Sequence, residues 1–169
     1  MSRPSLRAGL VAVALVLSAC VPEGLAFVKD DRLEISAPKS RATVTTPVTV
    51  DWTVHDFEVT GKTGDERDDA GYFGVFVDRA PMPPGEPMAW LARDDRRCQA
   101  TPGCPDRVFL ADLGAYTTTE TSFTVKNLPD RDAYQGHESH EVTVVLLDGT
   151  GRRIGESAWY VDFFYDRAD

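Results

Sequence analysis

The sequence predicts an all-β domain, an antiparallel β-sandwich, spanning residues 32–169. Three observations carry this expectation. Apolar residues recur at every second position in several short runs, the spacing of a strand with one buried face. Segments rich in glycine, proline and aspartate separate those runs. No stretch shows the apolar spacing of a long amphipathic helix. Seven or so short strands in roughly 135 residues suit two sheets packed face to face. A jelly roll or a small barrel is the alternative arrangement.

A first strand is expected at RLEISAP, starting near Arg32. PVTVDWTV (47–54) places Val48, Val50, Trp52 and Val54 on one face and Thr49, Asp51 and Thr53 on the other. YFGVFVDR (72–79) is apolar on both faces. PMAWLA, near residue 90, reads as a short strand, and VFLADL (108–113) as a helical turn. TSFTVKNL aligns Phe123 with Val125. HEVTVVLLD (140–148) is again apolar on both faces. SAWYVDFFY (157–165) aligns Trp159, Val161, Phe163 and Tyr165. DGTGRRIG (148–155) joins these last two strands as a hairpin.

Two-sided strands raise the question of a second cover. With Phe73, Val75, Val77, Val142, Val144, Leu146, Trp159, Val161 and Phe163 turned into the core, the opposite face carries Tyr72, Phe76, Val145, Leu147, Tyr160 and Phe164. A monomer rarely leaves so large an apolar patch bare. One reading, the preferred one, folds residues 80–119 over it as a flap. In the other a partner docks there, with Tyr72, Phe76, Tyr160 and Phe164 as the binding residues.

The N-terminus has the parts of an export signal. Arg3 and Arg7 make a positive start, residues 8–17 form an uncharged apolar run, and Ser18 and Ala19 precede Cys20. The run is too short to cross a bilayer, which takes about 20 residues. Leu17-Ser18-Ala19-Cys20 resembles a bacterial lipobox. That resemblance implies a signal peptide over residues 1–19, cleavage before Cys20, and acylation (palmitate among the chains) on Cys20. It implies a location at the cell membrane, lipid-anchored on the extracytoplasmic face. Two or more acyl chains, at about 0.8 kcal/mol per buried methylene, hold a protein at a membrane without a spanning helix. A tether over residues 20–31 follows, and its extended stretch reaches about 35 Å.

Charge and cysteine usage agree with that address. The chain holds 18 basic and 27 acidic residues, a net charge of −9. Loss of Arg3 and Arg7 with the leader takes it to −11, which argues against a nucleic-acid partner. Of three cysteines, Cys98 and Cys104 remain once Cys20 carries lipid, and an exported pair is expected as a disulfide. Their spacing is not C-x-x-C, and two cysteines without nearby histidines make at best half a zinc site.

The strand order also resembles an immunoglobulin-like or fibronectin type III-like domain. Trp52 stands on the second major strand, where fibronectin-like domains often place a core tryptophan. Leu128-Pro129 is similar to the leucine-proline step before their sixth strand, and HEVTVVLLDGTG follows. The resemblance implies a tyrosine-corner position that falls on Tyr134 or on His140. A disulfide between the sheets is missing from the pattern.

Three long connections are the natural places for function. Residues 55–71 gather Asp65, Glu66, Asp68 and Asp69, which reads as a solvated acidic loop, with calcium as the alternative. Residues 80–119 hold the cysteine pair and read as a covering flap or as a recognition loop. Residues 129–140 hold His137 and His140 beside Glu138 and Glu141, which read as two loop histidines facing solvent; a metal pair is the alternative. No G-x-S-x-G, P-loop or G-x-G-x-x-G motif occurs. No catalytic residue, cofactor or metal is therefore expected. The expected role is a non-catalytic binding or structural module with a protein or carbohydrate partner. The alternatives are an accessory subunit of a cell-envelope complex and a hydrolase or metal-dependent enzyme on a β scaffold.

Overall fold

The computed structural model describes residues 31–133, 137–155 and 159–166. Cys20, the expected signal peptide (1–19), nearly all of the expected tether (20–31) and Tyr134 lie outside them. The described chain is an all-β domain of two sheets. In order, β1 is Leu33–Ala37, β2 Thr43–Val44, β3 Val48–Val54, β4 Glu58–Val59 and β5 Ala70–Val77. A 3₁₀ turn at Met88–Ala92 and the short helices α1 (Arg96–Gln99) and α2 (Arg107–Asp112) follow. Then come β6 Ala115–Thr118, β7 Ser122–Val125, β8 Glu138–Asp148 and β9 Trp159–Tyr165.

One sheet has three strands in the order β1-β3-β7; the other has six, in the order β2-β9-β8-β5-β4 with β6 also on β5. The pairs β1–β3, β3–β7, β5–β6, β5–β8 and β8–β9 are antiparallel. Two short edge pairs, β2 on β9 and β4 on β5, are parallel. After β1 the chain leaves the small sheet for the large one. There the Arg41 amide donates to the Asp162 carbonyl, and Phe164 donates to that of Ala42.

The core between the sheets follows the expected alternation. Val48, Val50 and Trp52 from β3 meet Phe73, Val75 and Val77 from β5, with Val142, Val144 and Leu146 from β8 and Val161 and Phe163 from β9. Trp52 stands edge-on to Phe73 with ring centroids 5.3 Å apart, a favourable aromatic geometry.

Segment 80–119 covers the far face of the large sheet. Tyr72, Phe76, Val145 and Leu147 form a second buried cluster with Met82, Met88, Leu91 and Ala115. Met82, Met88 and Leu91 come from the flap, and Ala115 begins β6. Tyr72 and Phe76, named above as docking residues, thus lie beneath the flap. Tyr160 and Phe164 lie beyond it, 59% and 37% exposed.

Two expectations need correction. PMAWLA forms a 3₁₀ turn instead of a strand: Met88, Leu91 and Ala92 are buried together, as a helical turn allows, while Trp90 stacks under the Arg93 guanidinium at 3.4 Å. His140 is not at the surface but 1% exposed. β8 begins at Glu138, so His140 takes an inward position in register with Val142 and Val144.

Candidate functional site

The flap is fastened at both ends. Near its start it pairs with the β8–β9 hairpin. Arg153, 7% exposed, donates from its guanidinium to the Met82 carbonyl at 2.7 Å, and its amide donates to the Glu86 carbonyl at 3.0 Å. The hairpin turn is built by Asp148, whose Oδ1 accepts from the Thr150 amide and hydroxyl and from the Arg152 amide at 2.7–2.9 Å. This is the aspartate turn chemistry expected of DGTG. In its middle the flap is braced by the disulfide Cys98–Cys104, with Cα atoms 5.2 Å apart. Asp95 caps α1 through the Arg97 and Cys98 amides, and Asp106 caps α2 through the Phe109 amide. β6 then returns the chain to the edge of β5.

Where the flap ends, the sheet face opens into a groove of about 710 Å³. Five segments build it. Pro87, Met88 and Ala89 come from the flap, and Pro105 to Arg107 with Leu110 from the disulfide loop and α2. Thr117 and Thr119 come from the end of β6 and the residue after it, Gly61 and Lys62 from the acidic connection, and Thr150 and Gly151 from the hairpin turn. Tyr72 lines it from the sheet. Gly151, at φ +91°, is required beside it: a Cβ there would stand 2.8 Å from the Tyr72 hydroxyl. Burial, with the Asp148 carboxylate second, raises the Tyr72 phenol above its ordinary pKa, so the hydroxyl stays a donor.

The acidic connection lies open. Asp65, Glu66, Asp68 and Asp69 are all exposed. Arg67 bonds Asp69 at 3.0 Å and Glu58 at 3.2 Å. The Arg67 guanidinium lowers the Asp69 carboxyl below its usual range, and Asp69 in turn raises Arg67. Among the described residues no cluster of three or more His, Cys, Asp or Glu is placed to hold a metal.

The two histidines part company. His137 is exposed and lies 6.2 Å from the Phe164 ring. His140 is sealed between the Phe163 and Tyr165 rings, at 6.1 and 5.9 Å. Its Nδ1 lies 2.7 Å from Asp78 Oδ2, and its Nε2 is 3.4 Å from Glu138. Asp78 also accepts from Arg131 at 3.0 Å and from the Glu141 amide at 2.9 Å. The arrangement ties the end of β5 to the start of β8. Nε2, the nitrogen a reacting group would need, is buried.

Sequence reasoning named the disulfide, the flap and Tyr72, but not the groove. Its walls come from segments up to 90 residues apart, from Gly61 to Gly151, and none carries a local signal. Fold and site define a two-sheet β-sandwich domain with a disulfide-braced flap and a polar-rimmed groove. No family model, curated protein or solved structure matches this chain significantly.

Proposed function

We propose that this chain is a lipid-anchored, extracytoplasmic binding module, non-catalytic, with an immunoglobulin-like or fibronectin type III-like domain that takes its ligand in the groove beside the flap. The observation that carries the reading is the groove itself: about 710 Å³, within the range of small-molecule sites, apolar at its walls and rimmed by hydroxyls and cations. The order β1-β3-β7 against β9-β8-β5, with Trp52 in the core, supports the subtype. The lipobox-like Leu17-Ser18-Ala19-Cys20 supports the anchor. The intact mass of membrane-extracted protein tests the anchor: a chain beginning at Cys20 and carrying acyl mass is expected, and an unmodified chain retaining residues 1–19 refutes it.

A second reading is favoured by one feature. Tyr160 and Phe164 present an uncovered aromatic strip on β9, which suits an accessory subunit of a cell-envelope complex. A stoichiometric partner retained from detergent extracts by the native chain and lost on Tyr160→Ser would favour it.

A further inference from the structure

Several arginines of this acidic chain are paired locally. Arg41, Arg67, Arg93, Arg131 and Arg152 each lie 3.0–3.8 Å from a carboxylate oxygen. The two cations that line the groove do not follow this pattern. Lys62 and Arg107 are exposed, reach the groove from separate segments, and make no ion pair among the described residues. The groove's one lining carboxylate, Asp106, has Oδ1 engaged by the Phe109 amide. The cleft is thus a place of net positive charge on a chain of net charge −9.

Its remaining polar groups are hydroxyls. Thr117 stands opposite Gly74 in the β5–β6 register, and Thr119, just past the end of β6, lines the groove with it. The Tyr72 hydroxyl ends beside Gly151 at the groove. Hydroxyls pair with hydroxyls, and guanidinium and ammonium groups pair with oxyanions through the stronger charge-assisted bonds. Met88, Ala89, Pro105 and Leu110 offer apolar contact to ring carbons.

We propose that the groove binds an acidic sugar: a polyhydroxylated small molecule bearing a carboxylate or phosphate, held by Lys62 and Arg107 at its anionic end and by Thr117, Thr119 and Tyr72 along its hydroxyls. This rests on the groove being the binding site. It adds the ligand's charge and chemistry.

The test titrates the full chain in detergent with three probes: a galacturonate trimer, glucose 6-phosphate, and the neutral galactose trimer. Calorimetry reads affinity, and methyl NMR of Met88, Leu110, Thr117 and Thr119 reads location. The expected result is binding of an acidic probe at least tenfold tighter than the neutral trimer, with shifts at those methyls. The arm that binds distinguishes a carboxylate from a phosphate ligand. Lys62→Gln and Arg107→Gln should each weaken binding by about tenfold, with the circular dichroism unchanged because both side chains are exposed. Equal affinity for the neutral trimer, or no loss in either variant, overturns the acidic-sugar inference and leaves the groove as a binding site. If no probe shifts these methyls at millimolar concentration, the inference and the groove reading fall together.

Discussion

Asp78 clamps His140. Its Oδ2 lies 2.7 Å from the imidazole Nδ1 across 62 residues of chain, while its Oδ1 receives the Arg131 guanidinium and the Glu141 amide. Asp78 follows β5 in a left-handed conformation, φ +53°, which turns its carboxylate back toward β8. An aspartate tolerates that backbone better than most residues, because its short side chain bonds locally. The pair closes one end of the large sheet in the way a turn would, though no turn joins these strands.

Replacing Asp78 by Ala leaves a buried imidazole and a backbone amide without their acceptor. Urea unfolding should show a loss on the order of 3 kcal/mol, with Asp78→Asn losing less because the amide keeps one acceptor oxygen. A loss below about 0.5 kcal/mol for the alanine variant would mean that the clamp contributes nothing to stability.

Phe76 and Tyr160 sat together in the sequence pattern and separate in the structure. Phe76 is 0% exposed under the flap and Tyr160 is 59% exposed beyond it. Phe76→Ala should cost about 3–5 kcal/mol, the range for a buried phenylalanine, and Tyr160→Ser less than about 0.5 kcal/mol. Comparable losses in denaturant melts of the two variants would contradict the flap's placement.

The Cys98–Cys104 bridge closes a short loop, so its removal should lower stability by only about 2 kcal/mol in the chain-entropy picture. The effect should be local. Hydrogen exchange in Cys98→Ser/Cys104→Ser should quicken across residues 96–112 and stay unchanged in β3 and β8, and quickened exchange in β3 would show that the bridge supports the whole sandwich.

Tyr72 gives an alkaline signature. Its pKa is raised in the folded chain, by burial first and by Asp148 second. The unfolded chain therefore loses this proton first as pH rises. The neutral phenol's contribution is complete below its ordinary value near 10 and is lost as pH climbs through the higher folded value. Urea midpoints at pH 8, 10 and 11 should fall more steeply for the native chain than for Tyr72→Phe. Parallel curves would place Tyr72 in water.

Much of the architecture could be read from the residues. The inward set from Phe73 to Phe163 was legible because a pleated strand alternates sides whatever surrounds it. So was the DGTG hairpin, where aspartate and glycine supply their own turn bonds. His140 was missed: it shares the parity of Val142, Val144 and Leu146, but its polar ring suggested solvent, and the Asp78 and Glu138 carboxylates that accompany its burial come into place only in the fold. AYTT (115–118) has no alternation to mark it and becomes β6 through the vacant edge of β5. PMAWLA carries an apolar pattern that fits a strand or a turn, and docking on Tyr72 and Leu147 favours the turn.

The residues alone therefore determined which side chains share a face, since that follows from backbone pleat and local turn bonds. Which part of the outer face is sealed, where the cover stops, and that Lys62 and Arg107 line one groove were decided only by the fold. Those outcomes depend on contacts between segments far apart in the chain. Their free energies arise from docking, which no local spacing encodes.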